Sequence, residues 1–183
     1  MRLLAYLFYF FYRIKRNSSN ADACWLINNF PFSGSKKRKI IYQTNPGVAP
    51  GTSFTPPIYI ENGHQLVTGE KVFINADCHF NGTGKVFIGS NSLIGPRVVF
   101  CTANHSINGV ETSSYKTTIS NIAIGENVWI GAGVIICPGV TIGSNNIIAA
   151  GSVVTKNISE YVLAAGVPCT PKRNLPKIFN KCS

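Results

Sequence analysis

The chain carries three histidines, His64, His79 and His105, and six cysteines at positions 24, 78, 101, 137, 169 and 182. His105, in the run TANH, offers the plainest chemistry. An imidazole has an unperturbed pKa of ~6.5, so it accepts and returns a proton at neutral pH. Cys101 stands four residues earlier and is the nucleophile such a base would activate. Cysteines in protein cores are mostly inert small hydrophobes, which makes the covalent route the weaker one. A catalytic zinc centre needs three convergent ligands, and these histidines include no close pair. The cysteines show neither a C-x-x-C pair nor zinc spacing. No metal is therefore expected, and the cysteines read as free thiols of a reducing compartment.

Whatever His105 does must be positioned by an unusual scaffold. Ile124, Ile130, Ile136, Ile142, Ile148 and Val154 stand six residues apart, a period that fits neither a helix nor an alternating strand and indicates stacked coils. Asn127, Gly133, Gly139, Asn145 and Gly151 supply residues that tolerate positive φ at tight corners. Each six-residue unit is then one short side and one corner. Three sides make an eighteen-residue rung, and successive rungs pair as parallel strands about 4.8 Å apart. Val128, Val134, Val140, Ser152 and Ile158 fall in the second inward slot, where Asn146 breaks the pattern. Upstream, Ile74 and Phe80 keep the interval, a two-residue insertion within 81–86 disturbs it, and Ile88, Ile94 and Phe100 restore it. Residues 102–123 do not fit the walls and read as a loop that leaves the coil and returns at Ile124. Such loops gather on the binding face of repeat arrays.

The flanks differ. Residues 1–42 form an apolar and basic segment with a linker, 43–160 the coil, and 161–183 an extended cap and basic tail. The first sixteen residues, MRLLAYLFYFFYRIKR, are too short in their apolar part to span a bilayer. Two readings stand: a peripheral helix held at an anionic membrane face, or a helix packed on the protein. A second basic run covers Lys36, Lys37, Arg38 and Lys39, and the Pro, Gly, Thr and Ser of 43–57 mark a loop into the coil. The net charge is +10, which recruits polyanions. Nucleic acid is disfavoured because the coil offers no aromatic stacking surface interleaved with cations.

The runs IAIGENVWIGAGVIICPGVTIGSNNIIAAGSVVTKNI, AAGVPCTPKR, KVFINADC and IGPRVVFCTANH resemble the hexapeptide-repeat O-acetyltransferases, the group of galactoside, maltose and nodulation-factor acetyltransferases. The resemblance implies a mainly β fold, a left-handed parallel β-helix with a short N-terminal helical segment and an extended C-terminal tail. It also implies a homotrimer that uses acetyl-CoA at sites between neighbouring prisms. Transfer to an alcohol needs a base for the hydroxyl proton and donors for the tetrahedral oxyanion. By resemblance, His105 is the base, Asn75 and Trp129 bind the acceptor and line its pocket, and the Ala132 amide serves the oxyanion. Ala132, Ala150, Thr155, Lys156 and Arg173 match positions that contact coenzyme A; the last two are cations suited to its phosphates. The implied acceptor is a sugar or a surface-polysaccharide unit. Two departures put its identity in question: Ser106 replaces the usual proline after the histidine, and the chain opens with an aromatic, basic stretch where the family has a helical segment that contributes an acidic residue to acceptor binding.

Two alternatives remain open at this stage. One is a serine or other small-molecule acetyltransferase of the same fold, and the other is a non-catalytic repeat scaffold. The expected location is the cytoplasm, with a candidate peripheral contact of residues 1–16 at the inner face of the membrane.

Overall fold

The computed structural model describes residues 19–63, 65–106 and 116–177, together with Leu7. Its body is a three-sided parallel β-helix. The first face stacks Ser53–Phe54, Phe73–Ile74, Leu93–Ile94, Trp129–Ile130 and Ile147–Ile148, then Val162–Ala165, with Thr170–Asn174 antiparallel at its end. The second face stacks Ile58–Ile60, Cys78–Asn81, Val99–Cys101, Ile135–Ile136 and Val153–Val154. The third stacks Gln65–Thr68, Lys85–Ile88, Ile122–Ile124 and Thr141–Ile142.

Register explains the rhythm. Trp129 pairs with Ile147, an eighteen-residue step (147 − 129), whereas Phe73 pairs with Leu93, a step of twenty (93 − 73). The two extra residues sit at the corner between the second and third faces, within 81–84, and the rung below has the same step, from Ser53 to Phe73. On the third rung that same corner opens into the long excursion, so Leu93 pairs with Trp129 only after thirty-six residues (129 − 93). Within it, Ala103–Ser106 and Lys116–Ile119 form an antiparallel pair, which the sequence does not reveal. The coil resumes at Ile122 rather than Ile124: Ile122 is fully buried and pairs with Val86. A six-residue period marks one inward residue per side, so the alternate inward residue two places earlier escapes it.

Inside, all six period anchors and all five residues of the second slot are buried. The corners carry positive φ where expected, at Asn127, Gly133, Gly139, Asn145 and Gly151. Along one edge Lys71, Asn91 and Tyr161 share it, and along the next Asp77 and Arg97. Asn146 is no defect. Its Nδ2 donates to Gly143 O at 2.9 Å and Ser159 O at 2.7 Å, and its Oδ1 accepts from Val162 N at 2.7 Å. A buried amide thereby satisfies the backbone where the last rung departs from the repeat. That rung extends the coil past residue 160, since Leu163 pairs with Ile147 in parallel.

The basic run 36–39 lies on a helix rather than in a linker. α1 (Asn20–Asn29) opens with a capping box between Ser19 and Asp22, and α2 (Gly34–Thr44) buries Ile40 and Ile41. Both helices close the open edge of the first rung. Asn28 accepts from Ile58 N and donates to Ile58 O, each at 2.9 Å. Asn45 accepts from Leu66 N at 2.7 Å, and Asn20 donates to Glu61 O at 2.7 Å. Asparagine side chains thus replace the missing strand, which removes a sheet edge that would otherwise template aggregation. Residues 43–57 are only partly loop, since α2 ends at Thr44 and Ser53–Phe54 already belongs to the prism. The apolar segment 1–16 lies outside the described residues, Leu7 apart. No described helix is long and apolar enough to cross a membrane.

Candidate active site

His105 sits on the first strand of the hairpin, opposite Thr117. It is exposed, and its Nδ1 lies 3.3 Å from the Thr117 hydroxyl, while its backbone N–H donates to Asn104 Oδ1 at 2.9 Å. A hydroxyl beside one ring nitrogen restricts the ring's rotation, which is what a base on a projecting hairpin requires. Thr117 was not foreseeable from spacing, because the register across the hairpin depends on the turn between the strands.

Asn75 ends the first face on the second rung. Its N–H donates to Ile94 O at 3.0 Å and its side-chain Oδ1 accepts from Ala76 N at 2.8 Å, so the amide is oriented at the corner leading to the second face. His105 leaves from the far corner of that same face. Asn75 stands at the corner that opens the second face, and the hairpin leaves from the corner that closes it, so one chain keeps the two residues at opposite edges.

The other candidates cluster around the first corner. Trp129 points outward from the first face and is 54% exposed. Three residues on, around the corner, Ala132 stacks beneath Ala150, with Gly151 N donating to Ala132 O at 2.9 Å. Among the described residues neither the Ala132 nor the Ala150 N–H has a hydrogen-bond acceptor, so two adjacent rungs present stacked open donors. Gly131 makes this possible: a Cβ there would lie 2.5 Å from Ala150 N. Arg173 lies on the closing antiparallel strand, in one cross-strand row with Trp129, Ile147 and Leu163. Three strand spacings put Trp129 and Arg173 roughly 14 Å apart. Thr155 and Lys156 follow Val154 on the second face of the top rung, both exposed. Structure therefore joins Trp129, Ala132, Ala150 and Arg173 on one side, and holds Thr155 and Lys156 at the next corner.

Trp129 also walls a cleft of about 750 Å³ with Tyr161, Ile147 and Leu175. Spacing had not singled out Tyr161, whose positive φ places it at the same edge as Asn127 and Asn145. Cys101 is a poor nucleophile. Burial, with a smaller push from Cys137, raises its pKa above 9.0, which depletes the reactive thiolate.

Residues 121–156 match the family described as Bacterial transferase hexapeptide (six repeats). The galactoside O-acetyltransferase of Escherichia coli K12 is 35% identical over 148 residues, covering 81% of this chain and 73% of that protein. The chain belongs to the hexapeptide-repeat acetyltransferase family. A Schizosaccharomyces pombe relative is 42% identical over 120 residues, 66% of this chain, and the match spans 58% of that protein's length. A solved galactoside acetyltransferase in complex with coenzyme A superposes with a TM-score of 0.79 at 33% identity, covering 86% of this chain and 79% of that one. The family's repeat explains the prism.

Proposed function

We propose that this acetyltransferase moves an acetyl group from acetyl-CoA to a hydroxyl of a sugar or surface-polysaccharide unit, with His105 as general base. The observation that carries this reading is an exposed imidazole on an insertion hairpin, braced by Thr117. The acceptor oxygen attacks the thioester carbon as His105 takes its proton. The resulting oxyanion is held by a backbone N–H, for which Ala132 is the candidate. The C–S bond then breaks, the proton passes from His105 to the departing sulfur, and an O-acetyl ester and free coenzyme A result. Asn75 and Trp129 hold the acceptor. Ala150, Thr155, Lys156 and Arg173 hold the donor, the two cations at its phosphates.

A complete site requires a second copy, because Asn75 and His105 stand at opposite edges of one face. The outward surface supports assembly: Leu93 and Trp129 stack on the first face at 49% and 54% exposure, and Tyr59 and Ile135 are exposed on the second. The expected assembly is a homotrimer. The solved galactoside acetyltransferase holds coenzyme A, and the galactoside O-acetyltransferase relative supports a sugar as acceptor. The decisive assay incubates the protein and His105→Ala with acetyl-CoA and a panel of sugars, glycans and serine, recording thiol release. A sugar-dependent release that falls about 10²–10⁴-fold in the variant is expected; equal release by both proteins rejects His105 as the base, and a preference for serine rejects the sugar.

A further inference from the structure

Two of the cysteines share a place that the transfer chemistry leaves unused. Ile135 and Ile136 pair with Val99 and Phe100 on the rung below, and one residue further along each strand stand Cys137 and Cys101, thirty-six positions apart (137 − 101). Phe100 and Ile136 are fully buried, so alternation along the strands sends both cysteines to the outer side of the second face. Both are half-buried free thiols, whereas Cys24, Cys78 and Cys169 are buried. In register on adjacent rungs, the two Cα atoms stand roughly 4.8 Å apart, inside the ~4.4–6.8 Å range that a disulfide spans. Burial and, after it, Cys137 raise the Cys101 pKa, so the two thiols also sense each other.

Their surroundings give the pair leverage. Cys101 stands two residues before Ala103–Ser106, the hairpin strand that carries His105. Ser120 N closes the hairpin's root by donating to Thr102 O at 2.8 Å. A Cβ added at Gly139, two residues beyond Cys137, would lie 3.5 Å from the Ser120 Cβ. The two sulfurs therefore join the root of the hairpin to the rung above it. The outward row is also open at both ends: exposed Asn81 pairs with Cys101 below, and exposed Thr155 follows Val153 and Val154, the partners of Ile135 and Ile136, above. On the reading above, Thr155 contacts coenzyme A, so this row lines a groove that small molecules enter.

We infer that Cys101 and Cys137 form a redox-active dithiol, a modification site at which a low-molecular-weight disulfide closes a cross-rung link and restrains the His105 hairpin. The effect on turnover rests on the proposed role of His105; formation of the link does not. The Cys137 thiolate attacks one sulfur of the reagent, oxidised glutathione for example, and expels one glutathione thiolate, leaving a mixed disulfide. The Cys101 sulfur then attacks Cys137 and expels the second glutathione. The protein loses two S–H protons and two electrons and gains one S–S bond, and both protons and both electrons end on two glutathione thiols. Cys101 suits the second step, because an intramolecular attack tolerates a small thiolate fraction. Parallel Cβ vectors on neighbouring rungs stay roughly 4.8 Å apart, wider than the ~3.8 Å mean of a relaxed disulfide. The link therefore strains the rungs together and is readily reduced, which suits a reversible modification rather than a permanent staple.

The test incubates the full chain with oxidised glutathione, counts thiols after denaturation and maps links by peptide mass spectrometry, alongside Cys137→Ser and Cys101→Ser. Two of the six thiols should vanish into a single Cys101–Cys137 link that dithiothreitol reopens. Acetyl transfer should fall about 10–100-fold on closure, as expected for a displaced base, and recover on reduction. Each variant should transfer acetyl groups at the parent rate when reduced and form no internal link; the second variant keeps the test valid should the first fold poorly. Six thiols retained, a link that maps to other cysteines, mixed disulfides that never resolve, or closure without loss of transfer overturns the inference. A closed link in a protein that transfers no acetyl group even when reduced removes the transfer reading and leaves the dithiol standing; transfer by a protein that never links does the reverse.

Discussion

At the scale of single residues, the proposed chemistry and the stability of this protein draw on different polar groups. His105, the proposed base, stands on an exposed hairpin, whereas Asn146 works from within, where one amide replaces three missing backbone partners. Asn146→Leu keeps the volume and strands those partners. At about 1–3 kcal/mol for each buried group left unpaired, a loss of at least ~2 kcal/mol is expected in urea unfolding. The thiols make a second prediction. Burial raises the pKa of both Cys24 and Cys78 from 9.0 to about 11. Between those values the unfolded chain releases protons that the folded chain retains, so stability is full below pH 9 and falls as pH climbs towards 11. Urea midpoints measured at pH 8, 9.5 and 11 should decline in that order. Cys24→Ala with Cys78→Ala should flatten the decline.

At the scale of elements, the prism stands on its corners. Asn145 holds φ +60 on the edge shared with Asn127 and Tyr161. Asn145→Gly should leave thermal stability near its starting value, while Asn145→Val should cost about 1–2 kcal/mol, because a β-branched side chain resists left-handed φ. Gly131→Ala is the harsher change: the added Cβ meets backbone on the next rung at 2.5 Å, and no side chain there can yield. A fall in melting temperature together with loss of coenzyme A binding is the expected result, since the same contact spaces the Ala132 and Ala150 amides. The Asn145 corner was legible in the sequence, because it repeats with the coil. The helical caps were not. Asn28, Asn45 and Asn20 bond to positions 30, 21 and 41 residues away, and single asparagines leave no periodic trace.

At the scale of the whole molecule, Asn75 and His105 stand at opposite edges of one face, and the proposed site shared between copies predicts an assembly. Sedimentation should give three times 19.8 kDa, about 59 kDa for a closed cyclic trimer. Leu93→Asp, which places a charge in the outward apolar stack beside Trp129, should yield 19.8 kDa monomers with acetyl transfer largely lost. A fully active monomer would refute the shared site. The positive charge adds a longer-range contribution, attracting the donor's phosphates at a rate that falls with added salt.

Taken alone, the sequence determined the β-helix, its inward anchors, its positive-φ corners, the insertion in 81–86 and the excursion around His105. The anchors and corners recur with each rung, and the insertion and the excursion register as breaks in that recurrence, which is what a linear pattern can record. Only the tertiary structure decided that Thr117 faces His105, that Asn146 mends the last rung, and that two helices seal the first. Those pairings join residues 12 to 41 positions apart, and their geometry comes from how the chain turns between them, which no single residue encodes.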